Sequence, residues 1–166
     1  MTEPLIVIPC LNEEAHIGPL ISQLAPAIEA LNARLVVVDG GSTDDTCAIV
    51  AAIAAENPRV TILDNPKRIQ SAAINLAVER FGSEHDYLIR IDAHGSYPDD
   101  YCQVLVREAI ETGADSVVVA MQTVGFAAFQ KATAYAQNSK LGNGGSKHRV
   151  GAVGHWADHG HHALMR

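Results

Sequence analysis

Two hydrophobic rhythms alternate along this chain. Short, mostly apolar runs at Leu5–Ile8, Leu35–Val38, Val60–Leu63, Tyr87–Ile91 and Ser116–Val119 read as strands covered on both faces. Between the first two, Ile17, Leu20, Ile21, Leu24, Ile28 and Leu31 recur at spacings of three and four, the stripe of an amphipathic helix. Pro9 closes the first strand, and Asn12 suits the N-cap of the helix that follows. Gly40–Asp45 opens a second helix running to about Glu56, a third covers Ile69 to Phe81, and a fourth follows Pro98 and stops at Gly113. Strands alternating with helices across short loops predict an α/β fold: a doubly wound, mainly parallel sheet with helices on both faces. In such sheets ligands sit beyond the carboxyl ends of the strands. Pro9 to Glu13, Asp39 to Asp44 and Asp92 to His94 all fall at such ends, so these loops are expected to converge.

The rhythm fades after Phe126. An Ala-rich helix runs to about Ser139, and Gly142–Ser146 reads as a loop. The last segment gathers His155, His159, His161 and His162 around Trp156 and Asp158, and Arg166 follows almost at once. Three readings of these histidines stay open: contact with a phosphate or acceptor, zinc binding, or a polar, partly frayed terminus. No internal repeat is visible.

Composition narrows the class. The 166 residues are 48% hydrophobic and 19% charged, suited to one globular domain spanning 1–166. Aromatics are only 5%, so Val, Ile, Leu and Ala must fill the core. A formal net charge of -7 argues against nucleic acid as a partner, because phosphate-backbone binding needs a basic surface. Cys10, Cys47 and Cys102 are widely spaced, with no Cys-x-x-Cys and no signal peptide, which points to a reduced, cytoplasmic setting. No apolar run approaches the roughly 18 to 20 residues of a transmembrane helix.

The candidate chemistry sits at the strand ends. Asp92 and His94, two apart on an extended segment, point to the same side, where they can bind one divalent cation or orient a phosphate. A solvated turn before Pro98 is the alternative. Asp39 offers a carboxylate acceptor beside Gly40-Gly41, followed by Ser42, Thr43 and Asp44, a turn whose amides can face an anion. Helix capping by Ser42 or Thr43 is compatible with that role. Gly40-Gly41 lacks the Gly-x-Gly-x-x-Gly spacing of a nicotinamide site, and Gly142 to Lys147 lacks the frame of a phosphate-binding P-loop.

Taken in order, Val7-Ile8-Pro9-Cys10-Leu11-Asn12-Glu13-Glu14, Val37-Val38-Asp39-Gly40-Gly41-Ser42-Thr43-Asp44-Asp45-Thr46 and Ile91-Asp92-Ala93-His94 resemble the family 2 glycosyltransferases with a GT-A fold. The likeness is strongest to the bacterial succinoglycan-type exopolysaccharide branch, in which Asp-Ala-His replaces the usual Asp-x-Asp. The resemblance implies transfer of a sugar from a nucleotide diphosphate donor, a UDP-sugar, to a hydroxyl with inversion. By position it implies that Pro9, Leu11 and Glu13 line the nucleoside, that Asp39 accepts from the uracil ring, and that Arg68 approaches the nucleotide or its diphosphate. Asp92, beside the nucleotide, and His94 would hold the metal. An imidazole in that pair favours Mn²⁺ over Mg²⁺, which prefers all-oxygen shells. His159 and His162 would face the diphosphate or the acceptor.

The family's general base lies in an acidic motif downstream of a segment like His162–Arg166, so the base is expected beyond Arg166 and the domain is expected to be truncated before it. Asp158 is the one late carboxylate that offers itself instead. Two other readings remain: a non-catalytic nucleotide-sugar-binding module lacking the base, and a nucleotidyltransferase, which would need a Gly-rich, Arg-containing loop after the first strand. The resemblance further implies a saccharide or lipid-linked acceptor, with the full-length protein working at the inner face of the cytoplasmic membrane. Sugar, linkage and oligomeric state are not legible.

Overall fold

A computed structural model of the chain describes residues 3–120, 122–125, 127–139, 141–142, 156 and 161–166. The elements run β1 (Leu5–Cys10), α1 (Ile17–Ala30), β2 (Arg34–Asp39), α2 (Thr46–Glu56), β3 (Val60–Asp64), α3 (Gln70–Phe81), β4 (Leu88–Arg90), α4 (Tyr101–Thr112), β5 (Ser116–Val119), α5 (Ala128–Asn138) and β6 (His161–Met165). The sheet order is β3-β2-β1-β4-β6-β5, parallel from β3 through β4, with β6 antiparallel to β4. The expected α/β architecture is therefore present. The chain divides into two compact units, Met1–Asp115 with Leu164–Arg166, and Ser116–Ala163. The second carries β5, α5 and the start of β6.

In the first unit, alternation along the strands builds the core. Leu5, Val7, Val36 and Val38 pack with Ala73 and Ala77 of α3 in one buried cluster. Ile6, Ile8, Leu35 and Val37 point to the opposite side and are equally buried. Each large side chain so buried contributes about 1.5–3 kcal/mol. The predicted stripe Ile17, Leu20, Ile21, Leu24 and Ile28 is the buried face of α1. Among the described residues, no helix is long and apolar enough to cross a membrane.

Register decides where the loops leave. Cys10 pairs with Asp39, and Asp39 with Asp64, so β1, β2 and β3 end level on one edge of the sheet. β1 continues through Pro9 to Cys10 rather than stopping at the proline. Leu5 N donates to Tyr87 O and Val7 O accepts from Ile91 N, so Pro9, in the same phase, faces the side where β4 has already ended at Arg90. Its missing N–H breaks no ladder bond.

Several expected boundaries are corrected. Asn12 is not an N-cap: it adopts φ +55°, and α1 begins after His16 without a side-chain cap. Ser42 and Thr43 do not cap α2, which begins at Thr46 behind Asp45. Pro98 precedes α4 rather than opening it, its carbonyl accepting from Tyr101 N at 3.1 Å. Residues 161–165 form β6, where no strand was expected, with Leu164 opposite Ile89 and Met165 opposite Leu88.

Candidate functional site

The level strand ends produce one cleft of about 230 Å³ in the first unit. Of the residues expected there, Pro9, Leu11, Glu13, Arg68, Asp92 and His94 line it together. The loops after β1, β3 and β4 therefore converge, and Gly40 brings the loop after β2 to the same wall.

Two of these loops are stitched to each other by reciprocal side-chain-to-backbone bonds. Ser42 Oγ accepts from Asn12 N and Thr46 Oγ1 from Glu13 N, both at 2.8 Å. In the other direction Asn12 Oδ1 accepts from Thr43 N at 2.8 Å, and Glu14 carboxylate accepts from Asp45 N at 3.0 Å. Polar side chains that looked like helix caps thus satisfy the backbone of the neighbouring loop, which is why α1 and α2 both start late.

Asp39 lies beneath this seam and is 4% exposed. One carboxylate oxygen accepts from Gly41 N at 2.8 Å and Ser42 N at 2.9 Å; the other accepts from the Ser42 hydroxyl and, at 3.8 Å, from the Cys10 thiol. Burial alone would raise its pKa, but the Ser42 hydroxyl and amide, the Gly41 amide and Cys47 outweigh it and hold the group below the usual carboxylate value. Cys10 responds oppositely: burial first, then the Asp39 charge, push its thiol up to about 12. Asp39 therefore builds the turn before it can meet any ligand, and its neighbour Gly40, not Asp39, forms the cleft wall.

Arg68 adopts φ +57°, and its guanidinium lies against Gly41, itself at φ +88°. A Cβ at Gly41 would stand 3.2 Å from Arg68 Nε and Nη2. Asp92 Oδ1 accepts from Gln70 Nε2 at 3.0 Å and from Arg90 Nη2 at 3.4 Å. His94 Nδ1 is 3.1 Å from Glu13 Oε1, while the other Glu13 oxygen is 3.0 Å from His16 Nδ1. His16 is thus part of the site's periphery.

Asp92 and His94 do not share the extended segment expected of them: β4 ends at Arg90 and Gly95 N closes a turn on Asp92 O, yet both residues line the cleft and carry the oxygen and nitrogen donors that a divalent cation takes. A carboxylate can only accept, so Glu13 selects the Nδ1–H tautomer of neutral His94 and leaves the Nε2 lone pair for a metal. Among the described residues no three or more His, Cys, Asp or Glu cluster to hold a metal unaided.

Sequence reasoning passed over Asn65, Gln70, Ile69 and Ala73, which also line the cleft. Asn65 is 4% exposed, bonds Ile69 O through Nδ2 at 3.0 Å and donates its amide to Asp39 O at 2.7 Å. The signal available was its position directly after β3, at a strand end like the others. His162 belongs to the second unit, in β6, with Nδ1 2.7 Å from Ser116 Oγ. Asp158 and His159 lie outside the described residues.

Comparison with known proteins fits this arrangement. The fold is that of GT-A glycosyltransferases: Staphylococcus aureus TarS (1-349), solved in complex with UDP, superposes with a TM-score of 0.59 at 19% identity, over 76% of this chain and 37% of that one. Glucosyl-3-phosphoglycerate synthase from Mycobacterium tuberculosis, solved with Mn²⁺, UDP and glucosyl-3-phosphoglycerate, gives 0.54 at 26% identity, over 72% of this chain and 44% of that one. The model of glycosyl transferase family 2 matches residues 5–166, and the chain belongs to that family. It is 72% identical over 165 residues to the succinoglycan biosynthesis protein ExoA of Rhizobium meliloti (strain 1021), covering 99% of this chain and 50% of that protein. The chain thus spans about half the length of this relative.

Proposed function

We propose that residues 1–166 form the nucleotide-sugar-binding domain of an inverting glycosyltransferase, which moves a sugar from a UDP-sugar to a hydroxyl acceptor during exopolysaccharide synthesis. The single observation carrying this reading is that Pro9, Leu11, Glu13, Arg68, Asp92 and His94, drawn from three separate loops, meet in one cleft. Pro9 and Leu11 supply an apolar wall for the nucleoside, and Glu13 reaches from the same loop. Asp39 acts on the uracil through the turn it organises, whose Gly40 forms the cleft wall. The Arg68 guanidinium answers the diphosphate charge.

Asp92 and His94 are the assigned metal ligands, and Mn²⁺ suits their mixed oxygen and nitrogen set better than Mg²⁺. A divalent cation held there neutralises the charge that grows on the leaving diphosphate. The acceptor oxygen attacks the anomeric carbon on the face opposite the diphosphate, the carbon–oxygen bond to phosphate breaks with its electron pair leaving on UDP, and the acceptor proton passes to a carboxylate base. That base is assigned to the part of the protein beyond Arg166, as the greater length of the relative supports. The acceptor is a saccharide or lipid-linked saccharide presented at the cytoplasmic face of the membrane.

Calorimetry with UDP, with and without Mn²⁺, beside a donor-hydrolysis assay tests the reading. UDP binding strengthened by Mn²⁺ is expected, and Asp92→Ala should abolish the metal effect while circular dichroism stays unchanged. No UDP binding would overturn the donor assignment, and binding indifferent to metal would overturn the roles of Asp92 and His94. Metal-enhanced binding without turnover by this chain is the expected result, because the base is assigned beyond Arg166; turnover by residues 1–166 alone would overturn that assignment.

A further inference from the structure

The loop bearing Asp92 and His94 is closed by a residue outside the cleft lining. Tyr97 Oη accepts from Asp92 N at 2.8 Å and donates to Asp92 O at 3.2 Å, so one hydroxyl holds both backbone groups of the same residue. Gly95 N also donates to Asp92 O, at 3.0 Å, completing a tight turn over Ala93 and His94. The Tyr97 ring crosses that turn so closely that a Cβ on Gly95 would fall 2.4 Å from Oη. Tyr97 is itself held: its carbonyl accepts from Gln23 Nε2 of α1 at 2.8 Å, and its ring lies 4.8 Å from that of Tyr101 in α4.

We propose that Tyr97 is a positioning residue for the metal pair, its hydroxyl fixing the backbone of Asp92 so that the carboxylate of Asp92 and the imidazole of His94 face one cation. The physical reason is that two ligands carried on one turn meet a single cation only if the turn holds their relative placement. An unrestrained turn between them would have to be ordered at the cost of binding free energy. Tyr97 joins the turn to helices α1 and α4, so that cost is met when the chain folds. Gly95 belongs to the same device, since any side chain there displaces the hydroxyl. The inference rests on Asp92 and His94 being the metal ligands.

Mn²⁺ titrations followed by the electron paramagnetic resonance signal of free Mn²⁺, at saturating UDP, compare the wild-type chain with Tyr97→Phe and Gly95→Ala. UDP affinity in chelator is measured alongside. Both variants are expected to bind Mn²⁺ about 10–100-fold more weakly, the usual effect of losing a group that orients a ligand, with metal-free UDP affinity unchanged. Wild-type Mn²⁺ affinity in either folded variant would overturn the proposal. An equal loss of metal-free UDP affinity would overturn it too, showing general loosening of the cleft. If the wild-type chain binds UDP but shows no UDP-linked Mn²⁺ binding, the assignment of Asp92 and His94 itself falls and takes this inference with it. That outcome is distinct from a failure confined to the variants.

Discussion

Glu13 Oε1 stands 3.1 Å from His94 Nδ1, joining the loop after β1 to the loop after β4 across 81 positions of sequence. Glu13 is thereby committed on both oxygens, His94 on one side and His16 on the other. A carboxylate behind an imidazole fixes its tautomer and makes its other nitrogen a better ligand. The expected consequence is that Glu13→Gln weakens Mn²⁺ binding about tenfold or more at saturating UDP. Calorimetry would read this directly, and equal affinities would show that His94 orients without help.

Asp39 should make stability depend on pH in acid. Its folded pKa lies below the ordinary value, so the folded chain binds fewer protons than the unfolded one. The stabilisation is present above the unfolded value of about 3.9 and is lost as pH falls through the lower folded value. Urea unfolding at pH 7 and pH 3 should show the loss, and Asp39→Ala should shrink it. At pH 7 that substitution should itself cost about 1–3 kcal/mol, because the Gly41 and Ser42 amides lose their acceptor. The same variant should weaken UDP binding.

Gly41→Ala tests the approach of Arg68. The left-handed backbone at residue 41 disfavours any Cβ by roughly 1–2 kcal/mol, and the new methyl would press on the guanidinium. Reduced thermal stability together with weaker UDP affinity is expected. Stability loss with unaltered UDP affinity would remove Arg68 from the nucleotide site.

Thr46→Val probes the seam between the loops. Thr46 is fully buried, accepts from Glu13 N at 2.8 Å and donates to Asp44 Oδ1 at 2.5 Å. The isosteric change leaves the Glu13 amide unpaired, so a destabilisation of about 1–3 kcal/mol is expected from chemical denaturation. A neutral result would mean that water replaces the hydroxyl.

The chain's periodicity by itself determined the five strands β1 to β5, the helices packed with them and the strand ends where polar chemistry gathers. Burial imposes a repeat of two on a strand and near 3.6 on a helix, and both repeats are written in nearby residues such as Ile17, Leu20, Ile21 and Leu24. That Asp92 and His94 lie just past a strand end was legible for the same reason, but the extended spacing expected of them was not found, because β4 stops at Arg90 and Gly95 N closes a turn on Asp92 O. Only the tertiary structure decided that Asn12 and Ser42 serve each other's loops rather than helix ends, that Glu13 faces His94, that Tyr97 clasps Asp92, and that residues 161–165 return as β6. Each of those is a pairing between groups whose local sequence permits several partners. The partner is chosen by strand register and loop closure, which bring together side chains that no local pattern connects.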